Sequence, residues 1–88
     1  FNTKKNITIE NLNNKFQEYA NSSLKGILGV DTDPKVSSDY NHDARSSILD
    51  LSETTTVSDN FGRVLTWYDN EWGFSNRMLE TTAQVCNL

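Results

Sequence analysis

The 88-residue sequence has one cysteine, one histidine, one proline, one methionine and four glycines. A single cysteine, Cys86, leaves no partner for an internal disulfide, which excludes a disulfide-stapled secreted scaffold. No apolar run approaches the roughly 20 residues needed to cross a bilayer. Gly26, Gly29, Gly62 and Gly73 lack the spacing of a phosphate-cradling loop. Basic residues are also short: 8 against 12 acidic ones give a formal charge of −4. They are scattered, with Lys4-Lys5 the only adjacent pair, whereas phosphate backbones require clustered cations. Nucleic acid and anionic membrane surfaces are therefore not expected partners.

Apolar residues make up 35% and charged residues 23%, a globular composition lean in core formers. A chain of this size buries only about 60–65% of its unfolded surface. Phe1 opens the sequence where a native start carries Met, and no basic leader precedes an apolar run. The expectation is a portion of a larger domain whose missing pieces complete the core. The triplets Asn6-Ile7-Thr8 and Asn21-Ser22-Ser23 match a glycosylation pattern, but such triplets arise by chance in Asn-rich sequence. A cytoplasmic protein is the simplest expectation.

Thr8 has the chemistry of a helix N-cap, and Glu10 suits the positive helix end. From there Ile9, Leu12, Phe16, Tyr19 and Ala20 recur at helical spacing within about 100° of arc. This predicts an amphipathic surface helix that ends near Asn21-Ser22-Ser23. Lys35–Tyr40, Ser46–Leu51 and Arg63–Tyr68 read as strands, linked through Asp31-Thr32-Asp33-Pro34, Asn41-His42-Asp43 and Ser58-Asp59-Asn60-Phe61-Gly62. Short links imply antiparallel neighbours. Ser and Thr on one strand face suggest a surface that is solvated or set against another subunit. A second helix is predicted from about Glu71 to Asn87. Its apolar stripe of Trp72, Phe74, Met78, Leu79, Ala83, Val85 and Cys86 spans about 160°, wide enough for contacts on two fronts. The fold class is α+β, a mainly antiparallel sheet with an amphipathic helix near the N-terminus and a C-terminal helix.

Few residues offer chemistry. Cys86 falls late in a helix on the apolar face, without the helix N-terminus or cationic neighbour that makes a reactive thiolate, so core packing is its expected role. His42 is the one candidate general base, and its place in a polar turn predicts a surface role. Asp31, Asp33, Asp39 and Asp43 invite a metal reading. The Asp31-Thr32-Asp33 start resembles a calcium loop, but Val36 stands where the loop needs glycine, so turn carboxylates are the better account and no metal is expected. The segment Trp67 to Arg77 is different. A strand end runs into a helix through a polar junction crowded with aromatics, a place suited either to ligand contact or to aromatic packing.

That segment, Trp67-Tyr68-Asp69-Asn70-Glu71-Trp72-Gly73-Phe74-Ser75-Asn76-Arg77, closely resembles the C-terminal signature of the glyceraldehyde-3-phosphate dehydrogenase family. Leu24-Lys25-Gly26-Ile27-Leu28-Gly29, Asp33-Pro34, Val36-Ser37-Ser38-Asp39-Tyr40-Asn41-His42-Asp43 and Arg45-Ser46-Ser47-Ile48 agree in register. The resemblance runs from about Ile7 to Leu88. It implies that residues 1–88 are the C-terminal part of a catalytic domain, with the NAD-binding domain absent. It further implies a full-length enzyme that oxidises an aldehyde phosphate with NAD and inorganic phosphate, through a cysteine thioester and hydride transfer.

The catalytic cysteine and its histidine partner are implied to lie upstream, so no catalytic residue is assigned in this chain. Asn70 matches the asparagine that hydrogen-bonds the nicotinamide carboxamide. Phe74 falls at the aromatic position, often tyrosine, beside the nicotinamide ring. The final helix is implied to lie against the nucleotide domain, and the intact protein to be a glycolytic homotetramer. Val30-Asp31-Thr32-Asp33-Pro34 departs from the commoner pattern without touching these roles. The sister enzyme erythrose-4-phosphate dehydrogenase shares much of the signature, although Tyr68 leans toward the triose enzyme. A non-catalytic assembly module is the remaining alternative if only this piece is made. The piece alone is expected to expose apolar surface and to associate.

Overall fold

The computed structural model describes residues 1–33, 35, 37–69 and 71–87. Two helices and three strands are arranged as α1 (Ile9–Ala20), β1 (Leu28–Asp31), β2 (Ser47–Ser58), β3 (Phe61–Trp67) and α2 (Trp72–Cys86), with a 3-10 turn at Ser37–Tyr40 between β1 and β2. The expected α+β class holds. Helix α1 begins as the sequence predicts: the Thr8 hydroxyl accepts from the Asn11 amide at 3.1 Å, satisfying a first-turn donor. It packs against β1 and β2, and Asn13 Nδ2 donates to the Leu51 carbonyl at 3.2 Å.

The sheet has the order β1-β2-β3. β2 and β3 form an antiparallel hairpin closed by Asp59-Asn60, with Ile48 opposite Trp67 and Ser58 opposite Phe61. The strands expected at Ser46–Leu51 and Arg63–Tyr68 are these two. β2 runs further than expected, to Ser58, and two register irregularities interrupt its pairing, between Asp50 and Thr55 and between Thr56 and Ser58. At the outer edge of β3 the chain start adds a short pairing: the Phe1 amine donates to the Gly62 carbonyl and the Gly62 amide to the Phe1 carbonyl, each at 2.9 Å.

Two expectations are corrected. Lys35–Tyr40 is not a strand: Ser37–Tyr40 forms the 3-10 turn, while Pro34 and Val36 lie outside the described residues. Local carboxylate bonding competes with extension there. Asp31 accepts from the Asp33 amide at 3.0 Å and from the Tyr40 hydroxyl at 3.2 Å, and it pairs with Lys35 at 2.8 Å. The strand beside β2 is instead Leu28–Asp31, and it runs parallel, with Gly29 opposite Ile48. The 15 residues from Thr32 to Ser46 give the length that a parallel crossover requires. The sheet is thus mixed, and mostly antiparallel.

The core centres on the first half of β2. Ile48, Leu49 and Leu51 are buried, and Ile48 is 0% exposed. Successive strand residues face opposite ways, so burial of all three means that β2 is covered on both sides. Tyr40 is buried too, its ring stacked on Trp67 at 6.0 Å. The buried Asp50 carboxylate turns back on its own strand, accepting from the Ser52 amide at 3.1 Å and from the Ser52 hydroxyl. Truncating a fully buried isoleucine costs about 2–5 kcal/mol, a large share of what so small a chain has. Ile48→Ala is accordingly expected to abolish the thermal transition followed by circular dichroism. Val57→Ala, at a site 75% exposed, is expected to leave it within about 0.5 kcal/mol of the parent.

Candidate functional site

The junction that the sequence singles out lies where β3 ends at Trp67 and α2 begins at Trp72. Its floor is the segment running back from β2, residues 42–46. Asp43 and Arg45 form a two-pronged pair: Arg45 Nε donates to Asp43 Oδ1 at 2.9 Å and Nη2 to Oδ2 at 2.6 Å. The Arg45 amide also donates to Oδ1 at 3.0 Å, closing a tight two-residue loop. The fork geometry of guanidinium on carboxylate restricts both partners. Arg45 then serves two neighbours. Its guanidinium lies over Gly29, where a β-carbon would collide with it, and its carbonyl oxygen sits 2.8 Å from where a β-carbon at Gly73 would stand. Only a glycine lets the first turn of α2 come this close.

Two further contacts tie the junction to this floor. Asp69 Oδ2 accepts from the His42 amide at 2.7 Å, with His42 held at a φ of 62°. The His42 ring tilts against Trp72 at 5.0 Å. His42 is exposed in a turn, as expected, and its backbone and ring face carry its role. One turn along α2, Arg77 Nη1 donates to Ser46 Oγ at 3.2 Å and to the Gly26 carbonyl at 3.4 Å, while its other nitrogens bind Glu80 at 2.9 and 2.8 Å. Beyond these points α2 makes little contact with the sheet.

Between these anchors opens a cleft of about 270 Å3, lined by Ser46, Tyr68, Asp69, Gly73, Phe74 and Arg77. Phe74 is one of the two residues marked out by sequence, and 65% of it is exposed. The other, Asn70, lies outside the described residues. Its neighbours are described: Asp69 is tied to His42, and Glu71 is the N-cap residue of α2, with no capping hydrogen bond from its side chain. Asp43, Arg45, Gly73 and Arg77 were not marked out as functional. The Asp43-x-Arg45 spacing is a local signal for such a fork. Nothing in the sequence brings Gly73 to the Arg45 carbonyl.

Cys86 departs from expectation. It is exposed rather than packed in a core, and the cause is the position of α2. Phe74, Met78, Leu79 and Val85 on the same helix are exposed as well, Leu79 by 72%. The stripe is wide, as the sequence indicates, and this chain covers little of it. Two of the four acidic residues of the calcium-like stretch work as turn carboxylates: Asp31 holds Lys35 and Tyr40, and Asp43 holds Arg45.

The Asp43–Arg45 pair has a pH signature. Hydrogen bonding from Arg45 holds the Asp43 carboxyl below its ordinary value, against the opposing effect of burial. Lys35 does the same for Asp31. A carboxyl depressed by folding contributes stability above its unfolded value of about 3.9, and that contribution is lost as pH falls toward the folded value. Asp43→Asn should therefore lower the melting temperature at pH 7 by about 4–8 °C, for a loss of about 1 kcal/mol at this partly exposed pair. The same variant should flatten the decline below about pH 4. Melting curves of both proteins across pH 2–7 check this, and a parallel decline would contradict it.

Comparison with known proteins follows the same lines. The model of the glyceraldehyde 3-phosphate dehydrogenase C-terminal domain matches residues 1–70. A protein named glyceraldehyde-3-phosphate dehydrogenase from Cereibacter sphaeroides is 43% identical over 88 residues, covering all of this chain and 26% of that protein. Namesakes from Priestia megaterium and Ajellomyces capsulatus are 45% identical over 81 residues and 40% identical over 86. They cover 92% and 98% of this chain and 24% and 26% of their own lengths. The chain thus spans about a quarter of the relatives it matches. No helix among the described residues is long and apolar enough to cross a membrane. With the family model matching most of its length and the signature segment folded into a strand–cleft–helix junction, this chain belongs to the glyceraldehyde 3-phosphate dehydrogenase C-terminal domain family.

Proposed function

We propose that this chain is the C-terminal part of the catalytic domain of an NAD-dependent, phosphorylating glyceraldehyde-3-phosphate dehydrogenase. The complete enzyme would be a glycolytic, cytoplasmic homotetramer that converts an aldehyde phosphate and inorganic phosphate to an acyl phosphate. The observation that carries the reading is the family match across residues 1–70, joined to a cleft that presents Phe74 beside the polar junction. In that enzyme the nicotinamide ring accepts a hydride, and this chain's part is to hold the ring.

The residues fit such a group. A flat apolar face is offered by Phe74, and the other cleft walls include the polar side chains of Ser46, Asp69 and Arg77. Asn70, two residues before Trp72, carries the amide that complements a carboxamide donor for acceptor and acceptor for donor. Fixing that group fixes which face of the ring meets the substrate. The exposed stripe of Trp72, Phe74, Met78, Leu79 and Val85 supports a second role, packing against a nucleotide domain.

Two outcomes test this. The chain alone should give no NADH above a blank from aldehyde phosphate, NAD and phosphate, because the described residues include no positioned thiolate to form a thioester. In the complete enzyme, Asn70→Ala should raise the KM for NAD by about tenfold, the value of one hydrogen bond, and lower turnover by up to about a hundredfold through misplacement of the ring. Cys86→Ala should leave both nearly unchanged. Steady-state kinetics with a melting curve on each variant decide the matter. Unaltered NAD kinetics in Asn70→Ala would remove the assignment.

A further inference from the structure

The charges around the cleft do not cancel evenly. Arg77 is matched by Glu80 through two hydrogen bonds, and Arg45 is matched by Asp43. Asp69 also lines the cleft, half-buried, and among the described residues its carboxylate accepts from an uncharged backbone amide, that of His42. Among the described residues, the ion pairs are Lys15–Glu18, Lys35–Asp31, Arg45–Asp43 and Arg77–Glu80, so none neutralises Asp69. The cleft lining thus carries, together with the exposed Phe74, a carboxylate that has no cationic partner among the described residues. Glu71, also acidic and exposed, stands outside the lining.

A nicotinamide ring changes charge in the reaction: the oxidised ring is a cationic pyridinium, and the reduced ring is neutral. A carboxylate in the same cleft, with no cation to neutralise it, attracts the first and is indifferent to the second. We propose that Asp69 biases this cleft toward the oxidised, cationic nicotinamide and so helps the reduced, neutral product to leave. The inference rests on the reading of the cleft as the nicotinamide side. The partial positive charge at the start of α2 opposes Asp69. It is common to every variant at this position, so substitution isolates the carboxylate.

The test is separate titration of the complete enzyme with NAD+ and NADH at pH 7, read by calorimetry and, for NADH, by its fluorescence. Asp69→Asn keeps an oxygen for the His42 amide and removes the charge. It should weaken NAD+ by about threefold to tenfold, the scale of one partly screened charge pair, and leave NADH unchanged. Asp69→Glu should keep the parent ratio of the two dissociation constants, and Glu71→Gln should not alter it. In the unmodified enzyme the Kd for NAD+ divided by that for NADH should rise with ionic strength, a readout that needs no variant to fold. Equal weakening of both forms by Asp69→Asn, or no change in either, would overturn the proposal. Phe74→Ala separates the two layers. If it weakens both forms while Asp69→Asn leaves their ratio alone, this inference fails and the cleft assignment stands. If it changes neither, the assignment fails and this inference falls with it.

Discussion

The guanidinium–carboxylate fork between Arg45 and Asp43 is the contact on which the junction rests. It closes the tight two-residue loop from Asp43 and fixes the course of the backbone at Arg45. The guanidinium then covers Gly29 of β1, and the carbonyl supports Gly73 of α2. One residue therefore joins the sheet to the helix that carries Phe74. At Gly73 the approach is set by the Arg45 backbone, which cannot move aside as a side chain could; at Gly29 it is set by the guanidinium that Asp43 holds in place.

Stability and function are divided along this line. The rigid part is β2 with its neighbours, where Ile48, Leu49 and Leu51 are buried and Tyr40 stacks on Trp67. Helix α2 is fastened at its first turns, by Trp72 on His42, Gly73 on Arg45 and Arg77 on Ser46. Its later turns present apolar side chains to solvent. Such a helix is stabilised in its working position by whatever covers that stripe. In the proposed enzyme the cover is the nucleotide domain, so assembly of the two domains would also complete the nicotinamide cleft.

Much of this was legible in the sequence, and the misses have physical causes. Helix α1 was readable because its cap and its apolar spacing agree, and α2 because its stripe is long. β3 and the start of β2 showed as short branched and aromatic runs. Leu28–Asp31 was missed because four residues carry too little periodicity, and because its partner lies far ahead in the chain. Lys35–Tyr40 misled because Ser37 and Ser38 sit among residues that also favour strands, while the carboxylate of Asp31 draws Tyr40 and Lys35 into a turn. Cys86 was misplaced because an apolar helix face says that something covers it, not that this chain does. At the site, the aromatic signature pointed to Phe74. The support from Arg45 depends on a meeting of residues 45 and 73 that no local pattern encodes.

The backbone at Arg45 sets where the first turn of α2 lies, and thereby sets the cleft. Titration of NAD into a Gly73→Ala variant of the complete enzyme tests it most directly. The added methyl would stand 2.8 Å from the Arg45 carbonyl oxygen, a contact that backbone cannot relieve cheaply. α2 should shift and NAD affinity should fall by about tenfold, as for loss of one well-placed contact, with the protein still folded by circular dichroism. A folded Gly73→Ala enzyme with unchanged NAD affinity would contradict it.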